Sequence, residues 1–159
     1  MNKLEFRSGV IALIKFDRGC FYLNKEVIDL TLQIGLRGEA RVKVSQNNTA
    51  ASYGSGSVLV FATPAMIGLM EQAALSSVDP LLEKDMATVG ISIDVKHLAA
   101  TPAGMDVTAV SELIEIDGKR LVFRVEAWDN KEKIGEGIHQ RYIISITKFM
   151  DKVQAKSRL

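Results

Sequence analysis

From Pro64 to Leu75 apolar residues occupy nearly every position, interrupted only by Glu71 and Gln72. A helix that is apolar all round belongs inside a core, so this run predicts a buried helix. Thr63-Pro64 supplies its start, because threonine can cap free N–H groups and proline early in a helix loses no needed donor. The run is well short of the roughly 20 apolar residues of a membrane span, and it ends in Ser76-Ser77-Val78-Asp79-Pro80.

Elsewhere the period is two. Ala40 to Val44 alternates, and Ser52 to Ser57 has the glycine and serine content of a loop. Ile91, Ile93 and Val95 share one face of a strand against Ser92, Asp94 and Lys96, and His97 falls on the apolar face. Ala99 to Gly104 reads as a loop and Met105 to Ile116 as a strand. Asp117-Gly118 signals a two-residue hairpin. Leu121, Phe123, Val125 and Ala127 mark the next strand, Asn130 to Glu132 a second hairpin, and Ile134 to Phe149 the last strand. Asp151 to Leu159 reads as a polar tail that frays, and residues 1–31 as an extension without a chemical motif. One helix followed by a meander of long antiparallel strands is an α+β arrangement, the sheet burying one face on the helix. A single helix covers only a few strands, so a homodimer is expected.

Composition narrows the partners. A net charge of +1 gives no field for gripping long nucleic acid. The one cysteine, Cys20, forms no internal disulfide, and a reducing, cytoplasmic compartment fits. Val10 to Ile14 is broken by Lys15, Asp17 and Arg18, which makes a poor secretory signal. Two histidines without clustered acids predict no metal.

Glu71 is the first candidate for chemistry. A carboxylate on a buried helix is desolvated, which makes it a better base or nucleophile near neutral pH. His97 on an inward strand face can shuttle its proton, and Thr63 sets a hydroxyl beside the free N–H groups of a helix start, where an oxyanion can be held. Each residue also has an ordinary reading. Glu71 can emerge at an exposed or interfacial turn, His97 can be a hydrogen-bonded strand-end histidine, and Thr63 can be only a cap. His139 and Arg141 lie two apart and share a strand face with Ile143 and Ser145. There Arg141 can bind a phosphate or carboxylate, or form a surface ion pair. Gly54, Gly56, Gly135 and Gly137 lack the context of a dinucleotide or phosphate loop and read as loop and strand-edge glycines.

With these residues in view, the sequence resembles the hotdog-fold thioesterases of the fluoroacetyl-CoA thioesterase type. The resemblance rests on VFATPAMIGLMEQAA from Val60, TVGISIDVKHLAATPAGMDV from Thr88 and IGEGIHQR from Ile134. Gly-Glu-Ala at 38–40, Gly-Ser-Gly at 54–56 and Asp117-Gly118 add to it, over about Ile34 to Phe149. It implies a hotdog fold across residues 32–150, a long helix wrapped by an antiparallel sheet, working as a dimer on acyl-CoA with no cofactor beyond the CoA of the substrate. It further implies Thr63, Glu71 and His97 as catalytic residues, with Gly90 and Arg141 helping to hold the thioester and acyl group. Glu71, or water that it activates, would attack the carbonyl, and Thr63 would orient the carboxylate or the carbonyl. Gly56-Ser57-Val58-Leu59 has no aromatic residue to close over a tiny acyl group, so hydrolysis of a short or small acyl-CoA is expected rather than fluoroacetate resistance. A non-catalytic acyl-CoA-binding protein and an enoyl-thioester hydratase are the alternatives.

Overall fold

The computed structural model describes residues 32–157. The expected extension, residues 1–31, lies outside the described residues. Along the chain run β1 (Arg37–Lys43), the short helix α1 (Ala50–Tyr53), α2 (Thr63–Val78), β2 (Met86–His97), β3 (Asp106–Asp117), β4 (Arg120–Asp129), β5 (Lys133–Ser145) and α3 (Ile146–Lys156). The strands form one antiparallel sheet in the order β1-β3-β4-β5-β2. No described helix is long and apolar enough to cross a membrane.

The apolar run is α2. Met66, Leu69, Met70, Ala73, Ala74 and Val78 recur at three- and four-residue spacing and are buried, with α2 packed against β1, β3 and β4. Gly38 of β1 permits that approach, because a Cβ there would overlap the Ala73 carbonyl oxygen. Burial all round, as the sequence predicts, is not what the chain does. Pro64, Gly68, Gln72 and Leu75 form an exposed stripe on the far side. The helix looks uniformly apolar because this outward face is itself made of small and apolar residues. The helix start also differs: Ala62 is the cap residue, with no side-chain cap, and Thr63 is the first helical residue.

The hairpins follow the two-residue rule with one adjustment. Asp117 pairs with Arg120, so the β3–β4 turn is Gly118-Lys119 rather than Asp117-Gly118. Gly118 supplies the positive φ of 57° at the first turn position. In the β4–β5 turn the Asp129 carboxylate accepts the backbone N–H groups of Lys131 and Glu132 at 2.8 and 3.0 Å.

Two features of the sheet place the site. First, β5 runs between β4 and β2, so Gly135 and Gly137 lie in a central strand, not at an edge. A Cβ at Gly137 would overlap the Asp94 carbonyl oxygen, and one at Gly135 would meet Met66 Sδ at 2.5 Å. Second, the β2–β5 register breaks at Ile91. Gly90 pairs with Arg141 and Ser92 with Gln140, leaving Ile91 as the extra residue of a β-bulge, 51 % exposed. Thr88 and Gly90 before the bulge, and Ile93, Val95 and His97 after it, therefore share the face of Ile143, Arg141 and His139. Ile91 does not belong to the regular alternation of Ile93 and Val95.

Past the sheet, the expected strand to Phe149 stops at Ser145, and most of the expected polar tail is α3. Ser145 Oγ caps this helix by accepting the Lys148 N–H at 3.3 Å. Asp85, in the left-handed region at φ 71°, also holds its start through hydrogen bonds from Thr147 and Ser145.

Candidate active site

The first residue of α2 meets the last of β2. Thr63 Oγ1 and His97 Nδ1 share a hydrogen bond of 2.8 Å. With no side-chain cap on α2, the N–H groups of its first turn open beside this pair. His97 Nε2 is buried and has no hydrogen-bond partner among the described residues. Burial pushes the His97 pKa down, against a backbone contact with Ala99 that favours the charged form, so the ring is neutral at pH 7.

Glu71 lies two turns further along the helix, about 12 Å from Thr63 by the helical rise. Its side chain is 41 % exposed, so the full desolvation expected from the sequence is absent in the single chain. Among the described residues it accepts no hydrogen bond. The carboxylate rests on the bare backbone of Gly90, where any Cβ would overlap Glu71 Oε1. Its other neighbour is His139, whose Nε2 is 3.8 Å from Glu71 Oε1.

His139 is fully buried and has two hydrogen bonds that fix its tautomer. The Ser92 carbonyl can only accept, so Nδ1 donates to it at 2.9 Å; Arg141 Nη1 can only donate, so Nε2 accepts from it at 3.2 Å. Burial depresses the His139 pKa, and the Arg141 charge acts the same way, against the Ser92 carbonyl and Glu71. The ring is a neutral imidazole at pH 7.

Arg141 is 4 % exposed, which rules out the surface ion pair. Nε donates to Thr88 Oγ1 at 2.7 Å and Nη2 to the Thr88 carbonyl at 2.8 Å. Thr88 Oγ1 in turn donates to the Asp79 carboxylate. Burial opposes the charge of Arg141, and Asp79 and Glu71 offset that burial. A continuous polar path thus runs from Asp79 through Thr88, Arg141 and His139 to Glu71. Within one chain, then, the structure joins Thr63 to His97, and Glu71 to Gly90 and to the Arg141 network, as two separate clusters. Sequence reasoning placed His139 on the face of Arg141 without giving it a role, and it missed Thr88 and Asp79. The available signal was the shared inward face of His139 and Arg141 opposite a glycine. A groove of about 460 Å³ lined by Arg37, Glu39, Glu112 and Arg124 contains none of these residues. Among the described residues no group of three or more His, Cys, Asp or Glu could hold a metal ion.

The profile of the fluoroacetyl-CoA-specific thioesterase family matches residues 44–147, which include every residue of both clusters. The chain belongs to that family. A fluoroacetyl-CoA thioesterase from Streptantibioticus cattleyicolor is 45 % identical over 98 residues, 62 % of this chain and 70 % of the relative. A solved structure of the fluoroacetyl-CoA thioesterase FlK superposes with a TM-score of 0.74 at 37 % identity, covering 79 % of this chain and 98 % of that one. A Thermus thermophilus member of the thioesterase superfamily superposes with a TM-score of 0.75 at 26 % identity, covering 80 % and 95 %. The fold of this thioesterase family member is accordingly the hotdog, a long helix against a curled antiparallel sheet.

Proposed function

We propose that this protein hydrolyses a short or small acyl-CoA thioester to the free acid and CoA, with Glu71 as base and with Thr63 and His97 assisting. Family membership supports the reaction class. The observation that carries the site is the half-exposed Glu71 carboxylate resting on Gly90, where water reaches it and no side chain separates it from an acyl group.

In this reading Glu71 takes a proton from water as the water oxygen bonds to the thioester carbonyl carbon. The carbonyl oxygen becomes an oxyanion held by the Thr63 hydroxyl and the first-turn N–H groups of α2. Collapse breaks the C–S bond, and the proton taken by Glu71 is relayed through His97 Nε2 to the departing CoA sulfur, which leaves Glu71 ionised and His97 neutral again. Gly90 leaves room for the acyl group, and Arg141 contributes positive charge from beneath. No cofactor takes part, since CoA belongs to the substrate.

The two clusters meet through a homodimer in this proposal. β2 is an edge strand of 12 residues, and Ile91, Leu98 and Leu75 are exposed on or beside it and along α2. Midway between Thr63 and Glu71 is Ile67, next to Gly68, where an added Cβ would meet nothing within 4 Å. Midway between Gly90 and His97 lies Ile93 or Asp94. A single two-fold axis past both midpoints, with α2 against α2 and β2 against β2, sets Thr63 and His97 of one copy beside Glu71 and Gly90 of the other.

Thiol release from acetyl-, propionyl-, isobutyryl- and benzoyl-CoA tests the function. Wild type turns over at least one, and Glu71→Gln and His97→Ala lose most of that rate. Saturable binding with the ester intact, or loss of an enoyl absorbance without thiol, would replace the proposal with one of its alternatives.

A further inference from the structure

Helix α2 brings two carboxylates to one buried cation. Glu71 lies on the helix and Asp79 is its C-cap residue, eight positions on and about 12 Å away by the helical rise. Arg141 of β5 feels the charge of both. A guanidinium only 4 % exposed is costly unless its charge is compensated. Yet its direct hydrogen-bond partners are neutral: the Thr88 hydroxyl, the Thr88 carbonyl and the His139 ring. Which carboxylate compensates the cation decides whether the other is free to react.

The hydrogen-bond directions answer for Asp79. Nε and Nη2 form one edge of the guanidinium, and both donate to Thr88, at 2.7 Å to Oγ1 and at 2.8 Å to the carbonyl. Because Nε can only donate, Thr88 Oγ1 accepts from it and turns its single proton to the Asp79 carboxylate. The other carboxylate oxygen of Asp79 accepts the Thr88 N–H at 3.3 Å. Asp79 therefore takes both donors of a residue that is itself 5 % exposed, and through it pins one edge of Arg141. Glu71 has no such hold. His139 Nε2 lies 3.2 Å from Arg141 Nη1 and 3.8 Å from Glu71 Oε1, so Nη1 and Oε1 are at most 7.0 Å apart, the two distances laid end to end. No hydrogen bond or ion pair joins them, and the His139 ring occupies the gap.

Resting on the reading of Glu71 as base, we propose that Asp79 is a positioning residue: through Thr88 it keeps Arg141 turned to itself, and so leaves Glu71 unpaired and able to take a proton. A carboxylate paired directly with an arginine is a weaker base, because the pairing favours its ionised form. With the charge of Asp79 removed, Glu71 is the one other carboxylate acting on Arg141, and the guanidinium turns to it.

Three substitutions separate this role from a structural one. Asp79→Asn keeps an acceptor for the Thr88 hydroxyl and removes the charge, Thr88→Val removes the link, and Thr88→Ser keeps it. With the acyl-CoA of the panel that wild type hydrolyses fastest, Asp79→Asn and Thr88→Val lower kcat by about tenfold or more and leave KM within about twofold, while Thr88→Ser stays within about threefold of wild type. In an Arg141→Gln background, itself slower, adding Asp79→Asn changes kcat by less than about twofold, because the residue through which Asp79 acts is gone. Wild-type kcat in Asp79→Asn, or an equal loss in both backgrounds, overturns the inference. Should Asp79→Asn not fold, the Thr88 pair decides, and equal rates in Thr88→Val and Thr88→Ser overturn it. A crystal structure of Asp79→Asn asks the same question without turnover: Arg141 should donate directly to Glu71, and an Arg141 still clasped by Thr88 beside an unpaired Glu71 overturns the inference. Glu71→Gln is measured alongside. Full activity there removes the base and this inference with it, whereas an inactive Glu71→Gln beside an unaltered Asp79→Asn refutes the role of Asp79 alone.

Discussion

The Thr63 hydroxyl lies 2.8 Å from His97 Nδ1, tying the first residue of α2 to the last of β2. Threonine here does not cap its own helix, since Ala62 holds that position and the hydroxyl is engaged by another element. Thr63→Val keeps the shape and removes that bond. It should lower kcat by about 10²-fold while Thr63→Ser stays within about tenfold. Melting temperatures of all three proteins should agree within a few degrees, because Thr63 is exposed in the single chain. A Thr63→Val enzyme at full rate would remove the hydroxyl from the mechanism.

In the proposed site Gly90 acts by having no side chain. The Cβ of Gly90→Ala would occupy the place of Glu71 Oε1 and stand 3.2 Å from His139 Cε1. The carboxylate must move aside, and a displacement of about 1 Å at a reacting group can cost about 10² in rate. Gly90→Ala should therefore remain folded, by circular dichroism, with kcat reduced by about that factor. Retention of wild-type kcat would show that the resting place of the carboxylate is irrelevant.

The proposed sharing of the site between two copies makes a prediction about mixed dimers. His97→Ala and Glu71→Gln proteins should each be inactive alone. In a heterodimer one of the two sites combines the intact His97 of one copy with the intact Glu71 of the other. Unfolding and refolding a 1:1 mixture should recover about a quarter of the wild-type rate. No recovery, with heterodimer formation confirmed by mass spectrometry, would place both residues within one copy.

Both histidines are buried enough to hold their pKa values below the ordinary 6.5. The unfolded chain then binds more protons than the folded one as the solution becomes acidic, so stability rises with pH across that range. The contribution is present in full above the unfolded value near 6.5 and is lost as pH falls through the folded values. Melting temperature should be level from pH 8 to about pH 7 and fall from there to pH 5, and His139→Asn should flatten that fall. A melting temperature that rises on acidification would contradict the neutral rings.

Much of the sheet could be read from the sequence because alternation and turn residues are local signals: Phe123, Val125 and Ala127 face the core as their spacing requires. The motifs also point to Thr63, Glu71 and His97, whose roles are part of the proposal. What escaped depends on partners distant in sequence. The bulge at Ile91 is visible only in the register with β5, and the acceptor role of His139 only once Ser92 and Arg141 stand beside it. Of the two readings of Glu71 the partly exposed one holds in the single chain, and the sequence left both open because an outward helix face built of Pro64, Gly68 and Leu75 has the composition of a core. The helix α3 was missed because Ile143, Ile144 and Ile146 favour strand, although Ile146, Phe149, Met150 and Val153 repeat at helical spacing.

The engagement of Arg141 has a consequence for what the enzyme accepts. Each of its three side-chain nitrogens already donates to Thr88 or His139 and the residue is buried, so a negatively charged acyl group meets Glu71 without an exposed guanidinium to offset it. The pocket should discriminate by charge before it discriminates by size. Succinyl-CoA should be turned over more slowly than butyryl-CoA, which has the same number of acyl carbons and no second carboxylate; the ratio of their kcat/KM values measures that selectivity, and a ratio of one would mean that Arg141 releases its partners for substrate.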